Sequence, residues 1–242
     1  MSKIFIVGTP IGNLKDITLR ALETLKNVDF IACEDTRVTA KLLNHFTISK
    51  KLVSYSKINE AKSAQFILNE VMQNNLQIAL VSDAGMPLIS DPGFELINLA
   101  RQNNIEIELI PGVNAAISTF ALSALSNTFS FHGFPKERQG QRKDQIKSLT
   151  CDMAHIFYVS PHKLDLFLDD IEEIWGEKID VFVARELTKI HESLYFGKIS
   201  TIKNELNNTS KKGEFTIVLK PLAEQKQKVN KYAEFSKTNK KV

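Results

Sequence analysis

The chain has 242 residues, 43% hydrophobic and 24% charged, with a net charge of +3; it is long enough for one large domain or two small ones with a real core, and its composition excludes a low-complexity or disordered chain. Cys33 and Cys151 are too few and too far apart for a disulfide framework, and no run reaches eighteen apolar residues. A soluble protein of a reducing cytoplasm, with no membrane span, is therefore expected. The charge is uneven. Residues 223–242 carry six lysines against two acids, a surplus of +4 that leaves −1 on the other 222 residues. That segment reads as a basic flexible tail, either a solvated end or a loose hold on nucleic-acid phosphates.

In chain order, "KIFIVG" and "VDFIACE" read as short buried strands. Between them Leu14, Ile17, Ala21, Leu25 and Val28 recur at three and four, one helix face, with Asn13 or Asp16 as caps. Helix "TAKLLNHF", strand "KLVSYS", helix "AKSAQFILNEVMQ", strand "QIALVSD", helix "FELINLARQ" and strand "IEIELIPG" follow. Strands separated by helices imply parallel pairing with right-handed crossovers. After Pro111-Gly112 the order changes. Helix "NAAISTFALSAL" leads to "FSFHGF" and a polar stretch, "PKERQGQRKDQ", which reads as loop. Strand "HIFYVS", helix "LDLFLDDIEEIW", adjacent strands "DVFVAREL" and "SLYFGK", a short helix and strand "EFTIVLK" complete the body. The adjacent strands suggest antiparallel pairing, hence a mixed second sheet. The expected organisation is an N-terminal α/β domain over 1–112, a C-terminal α/β domain over 113–222, and the tail.

Within "LVSDAGMPLISDPGFEL", residues 80–96, the chain leaves a strand and places Asp83, Gly85, Pro87, Asp91, Pro92 and Gly93 within eleven residues. A double turn ending in a helix cap would use such residues; so would a stiff loop bringing backbone close to a ligand. Other chemistries find little support. The five histidines lack metal-ligand spacing, so no metal is expected. "GTPIGN" lacks the Lys-Ser/Thr of a P-loop and the three-glycine dinucleotide fingerprint. No Gly-x-Ser-x-Gly elbow is present. Six polar loops remain at predicted strand ends: "GTPIGN", "CEDTR", the 83–93 loop, "PGVNA", "SPHK" and "RELTK". Ligands of open α/β sheets bind outside the carboxyl ends of strands, and two halves built this way would form a cleft.

"TPIGNLKDITLRALETLKNVDFIACEDTR", "LVSDAGMPLISDPG", "SPHK" and "ARELTK" together resemble the 16S ribosomal RNA cytidine-2'-O-methyltransferase family of the tetrapyrrole methylase-like superfamily, over about Ile4 to Leu219. The resemblance implies two α/β domains with S-adenosylmethionine in the cleft between them, a homodimer, and 2'-O-methylation of a cytidine ribose in the decoding centre of 16S rRNA within the small ribosomal subunit. It places the 83–93 loop beside the cofactor, with Gly8, Pro10, Asp83, Gly85, Pro87, Ala115, Val159 and Leu187 as the expected cofactor-binding residues. Five places depart from the family pattern: Met86 replaces a threonine, Val38 a histidine, Ser56 and Ile58 two histidines, Val159 and Lys163 an acid and an arginine, and "PGVNA" stands for "PGPSA".

A ribose hydroxyl is a poor nucleophile, so transfer needs a held acceptor and a place for its proton. Lys189, Arg185 and Glu186 are the catalytic candidates. In an extended segment Arg185 and Lys189 share one face and Glu186 takes the other. A desolvated Lys189 would ease deprotonation, and Arg185 would hold a phosphate or carboxylate; a salt-bridged strand end explains the same residues. Arg37, Lys136, Arg138, Arg142, His162 and Lys163 are the candidates for contacting RNA, although Glu34, Asp35 and Arg37 would equally make a helix cap with one ion pair. Two alternatives stay open: a methyltransferase of the same superfamily acting on a small molecule or protein side chain, and a catalytically weakened RNA-binding or ribosome-assembly protein.

Overall fold

The computed structural model describes residues 1–223, so the expectations for the basic tail lie almost wholly outside the described residues. The chain forms β1 (Lys3–Val7), α1 (Leu19–Asn27), β2 (Phe30–Cys33), α2 (Thr36–His45), β3 (Lys51–Ser54), α3 (Glu60–Asn74), β4 (Gln77–Val81), α4 (Phe94–Gln102) and β5 (Glu106–Ile110). These strands make one sheet in the order β3-β2-β4-β1-β5, with every pairing parallel. Its central strands are buried on both faces. Ile78 and Leu80 join Ile4, Ile67 and Leu96 in one core cluster, while Ala79 and Val81 join Ala21, Leu25 and Leu43 in another. That explains why "IALV", residues 78–81, is continuously apolar rather than alternating.

Beyond Gly112 come α5 (Ala115–Ser123), β6 (Phe129–Phe131), α6 (Gln139–Lys147), β7 (Ala154–Val159), α7 (Leu164–Trp175), β8 (Ile179–Arg185), β9 (Ser193–Lys198), α8 (Ile199–Asn207) and β10 (Phe215–Pro221). The second sheet runs β6-β7-β10-β8-β9, parallel only between β6 and β7 and antiparallel elsewhere, so it is mixed as expected. One face packs Phe157, Val181, Val183, Ile217 and Leu219 against α7 and α8; the other sets Ile156, Phe182, Ala184 and Val218 beneath α5. Burying a side chain such as Phe157 is worth roughly 1.5–3 kcal/mol, and many such burials hold the helices in place.

Three local expectations are corrected. The first helix does not run from Leu14. A single 3-10 turn, Leu14–Asp16, is capped by Asn13, and α1 begins only after Thr18, whose hydroxyl accepts from Ala21 N–H (3.1 Å). The polar stretch after Phe134 is partly helix, α6, because Ile146 is buried and Arg142 is anchored by a long-range ion pair. "RELTK" is a tight turn, not an extended end, with Glu186 (φ 52°) and Thr188 (φ 66°) both left-handed.

Candidate active site

The loops after β1 and β4 are sewn together first. Thr9 and Gly85 exchange two backbone hydrogen bonds (2.8 and 3.1 Å), and the buried Thr9 hydroxyl donates to the Ser82 carbonyl. Gly85 sits at φ 82°, a conformation that costs a residue with a Cβ dearly. Gly8 lies directly behind: a Cβ there would stand 2.7 Å from the Gly112 Cα, so the backbones leaving β1 and β5 touch. Its task is that crossing, beneath the cleft rather than on its wall.

The rest of the 83–93 loop is held from outside. Lys57 donates its ammonium to the Ser90 carbonyl. Glu60 Oε1 accepts from Gly93 N–H (2.9 Å) and Glu95 N–H (3.3 Å), and the buried Tyr55 hydroxyl accepts from Leu96 N–H (3.2 Å). A carboxylate and a phenol from a neighbouring segment thus cap α4, whose preceding glycine offers no side chain. Leu88 and Ser90 are left-handed without being glycines, so the external bonds maintain a strained path.

Between this loop and the second sheet lies a cleft of about 380 Å³. Ile11, Asp83, Gly85, Met86, Ile89 and Asp91 form one wall; Phe134, Tyr158, Val159, Pro161, Glu214 and Phe215 form the other; Asn114 and Ala115 at the start of α5 close the end. Of the residues expected at the cofactor, Asp83, Gly85, Ala115 and Val159 line it. Pro10 lines a second, adjoining pocket of about 300 Å³. Pro87 is buried within the loop, and Leu187 packs against the core under α5. Neither lines the cleft.

The cleft is acidic on its loop side. Burial pushes the Asp91 carboxyl up to about 6, with the charge of Glu34 adding to the effect. Burial also raises Asp83, although Asp35 N–H donates to its Oδ1 (2.9 Å), and Glu34 is raised by burial and by Asp83. On the facing wall the Tyr158 hydroxyl accepts from Ala116 N–H (3.2 Å), tying β7 to the first turn of α5. Among the described residues, no group of three or more His, Cys, Asp or Glu side chains is arranged to hold a metal.

The catalytic expectations for "RELTK" are revised. Lys189 Nζ pairs with Glu186 (2.9 Å) and Glu214 (3.1 Å). Burial alone would lower its pKa, but these hydrogen bonds and charges outweigh it, and the ammonium is held above the ordinary lysine value. Paired in this way, it lines the second pocket as a cation. The Glu186 carboxylate is a brace that also accepts from Glu214 N–H (2.8 Å). Arg185 is buried, its Nε donating to the Lys212 carbonyl (2.8 Å) and one guanidinium nitrogen to the His191 carbonyl (3.2 Å). It fixes two loops and does not line the cleft.

The RNA candidates divide. Arg142 is a correction: its side chain and that of Asp170 are each 4% exposed and 2.6 Å apart, so no phosphate reaches it. Lys136, Arg138 and His162 are exposed, and Lys163 pairs with Glu137 at 3.2 Å. Arg37 is 86% exposed and pairs with Asp35, which caps α2 through Arg37 N–H (2.8 Å) and is drawn down to about 2 by that arginine. Sequence reasoning omitted Asp91, Tyr158 and Glu214 from the site. Asp91 had a signal, since it precedes Pro92-Gly93 in the loop already singled out. Glu214 had none: it enters from the N-terminal end of an antiparallel strand, where a rule about carboxyl ends does not look.

A two-sheet α/β body with a cleft between a strand-end loop and the facing sheet is the architecture of the tetrapyrrole methylases, and the model of that family, Tetrapyrrole (Corrin/Porphyrin) Methylases, matches residues 3–203. Among solved structures, a uroporphyrin-III C-methyltransferase from Thermus thermophilus superimposes with a TM-score of 0.64 at 15% identity, covering 90% of this chain and 94% of that one. A diphthine synthase gives 0.66 at 13% identity over 90% of each. These distances establish the fold alone. Closer relatives carry the name ribosomal RNA small subunit methyltransferase I: one from Mesomycoplasma conjunctivae is 51% identical over 97% of this chain and 98% of its own, and one from Thermotoga maritima is 42% identical over 90% and 98%. The chain belongs to the ribosomal RNA small subunit methyltransferase I family.

Proposed function

We propose that the protein methylates the 2'-hydroxyl of a cytidine in 16S rRNA of the small ribosomal subunit, with S-adenosylmethionine as donor in the 380 Å³ cleft. The observation that carries this reading is the cleft itself, which shares Asp83 and Ala84 with an adjoining second pocket, in a chain half identical to relatives of that name. Its lining suits the donor. Ile11, Met86, Phe134 and Phe215 offer apolar walls, and Asp83 and Asp91 face a cation. When bound, S-adenosylmethionine supplies a methyl group on a sulfonium that an oxygen nucleophile displaces. A site gripping the sulfonium too tightly would stabilise the ground state over the transition state. Burial raises both aspartates above the ordinary carboxylate value, Asp91 to about 6.

Since Lys189 is paired with Glu186 and Glu214, we assign receipt of the hydroxyl proton to Asp83, whose Oδ1 accepts from Asp35 N–H and which lines both pockets. Residues 1–112 and 113–222 act in this reading as two domains closing on the donor. A homodimer is supported by the apolar outer surface of α5 and β9, where Ile117 and Leu122 are about half exposed and Phe196 is 61% exposed; light scattering would test it. A cytoplasmic location follows from the ribosomal substrate.

The decisive test is transfer of labelled methyl to small subunits from cells lacking the modification, with nucleoside mass spectrometry of the product. 2'-O-methylcytidine is expected; methyl on a base, or none on the subunit, would overturn the reading. Asp83→Asn should slow single-turnover transfer about 10²–10⁴-fold, and an unaffected rate would remove the proton assignment.

A further inference from the structure

We propose that the second pocket is the acceptor subsite, taking one unstacked pyrimidine nucleoside and its flanking phosphate. This inference rests on the reading above. The pocket, about 300 Å³, shares Ile11, Asp83, Ala84 and Glu214 with the donor cleft, so the two adjoin at these residues. Two-substrate transfer requires that adjacency, because the gain comes from holding both reactants in contact.

The chemistry of the walls selects the occupant. Pro10 and Leu14 come from the loop after β1, and Val38 and Leu42, one turn apart on α2, face them. Such a slot between aliphatic surfaces suits the flat face of a base, as single-stranded RNA readers use apolar and aromatic platforms for splayed nucleotides. Two cations stand in the wall. Lys41 shares the α2 face with Val38 and Leu42, is exposed, and makes no ion pair among the described residues. Lys189, kept charged by Glu186 and Glu214, stands near Gly12, where a Cβ would fall 2.4 Å from the lysine Cγ. An uncompensated lysine beside an apolar slot matches a nucleotide, with an uncharged base and a charged backbone.

The pocket also makes sense of one departure from the family pattern. Val38, one of the departures from the pattern that the sequence resembles, lines this pocket, whereas Ile58 is 90% exposed and lines neither pocket. Replacement of a polar ring by a small aliphatic group at Val38 leaves the slot open and apolar.

Two variants on the surface of α2 test the assignment. Val38→Trp fills the slot, and Lys41→Glu reverses the charge. Both should melt within about 2 °C of the parent, as surface substitutions do, and bind S-adenosylmethionine with unchanged affinity by calorimetry. Transfer to small subunits should fall at least about 30-fold in kcat/KM for Val38→Trp, and for Lys41→Glu the loss should lie in KM. A labelled single-stranded oligoribonucleotide with one central cytidine should bind Lys41→Glu more weakly, with a salt slope smaller by about 1. If both variants transfer methyl and bind the oligonucleotide like the parent, the second pocket is not the acceptor site. If the parent itself transfers nothing to small subunits, the functional reading fails instead.

Discussion

Replacing Arg142 with methionine should destabilise the protein without touching its use of RNA. Arg142 Nε lies 2.6 Å from Asp170 Oδ2, both side chains are 4% exposed, and the guanidinium also donates to the Glu137 carbonyl at 3.2 Å. Methionine fills the space but leaves Asp170 buried and charged. Breaking one side of a buried pair costs roughly 3–5 kcal/mol. Lys143, 3.9 Å from the other Asp170 oxygen, offsets part of this, which favours the lower end. At about 2–4 °C per kcal/mol for a chain of this size, the melting temperature should drop about 6–20 °C. The double change Arg142→Met with Asp170→Leu should recover most of the loss, because the lone charge is then gone. Calorimetric unfolding measures the first quantity, and RNA affinity across a salt series measures the second. A variant that melts like its parent, yet binds RNA with a salt slope smaller by about 1, would show that Arg142 reaches phosphate and that the buried pair is wrong.

Gly8→Ala should cost at least about 1–3 kcal/mol, because the new methyl meets the Gly112 backbone at 2.7 Å, where nothing flexible can yield; Gly140→Ala, with nothing within 4 Å, should be neutral or slightly stabilising, and equal melting of the two would contradict the crossing described. His132 and His155 touch through Nε2 and Nδ1 at 3.0 Å, with His132 stacked on Phe157. Burial holds both below the ordinary histidine value, and His155 adds to the effect on His132. The unfolded chain therefore takes up protons first, so stability is lost as pH falls below about 6.5. The raised carboxylates act in the opposite sense, so the pair is isolated by difference: His132→Phe should flatten the fall in melting temperature between pH 7 and 5, and an unchanged slope would remove the histidines from it.

What could be read in the sequence follows from how far each signal travels. The parallel sheet was legible because strands buried on both faces must be apolar along their buried length, and "FIAC" and "IALV" are. The 83–93 loop was legible because left-handed and rigid positions demand Gly and Pro locally. The helix α6 was not, since its stability rests on Asp170, 28 residues away, and on one buried isoleucine; local composition argues for a loop until that partner is known. "RELTK" misled for the opposite reason. Its residues are good strand-end and salt-bridge residues, and nothing in them announces two left-handed positions. Those are imposed by Glu214, which donates its backbone N–H to Glu186, and by Gly213, which at φ 105° leaves room for the Glu186 side chain. The consequence is chemical. A lysine on an extended strand end could have been desolvated and basic; the same lysine, folded back between two carboxylates, is a fixed cation. The turn therefore makes Lys189 a paired cation in the wall of the second pocket, which is why the function proposed above assigns the hydroxyl proton to Asp83 instead.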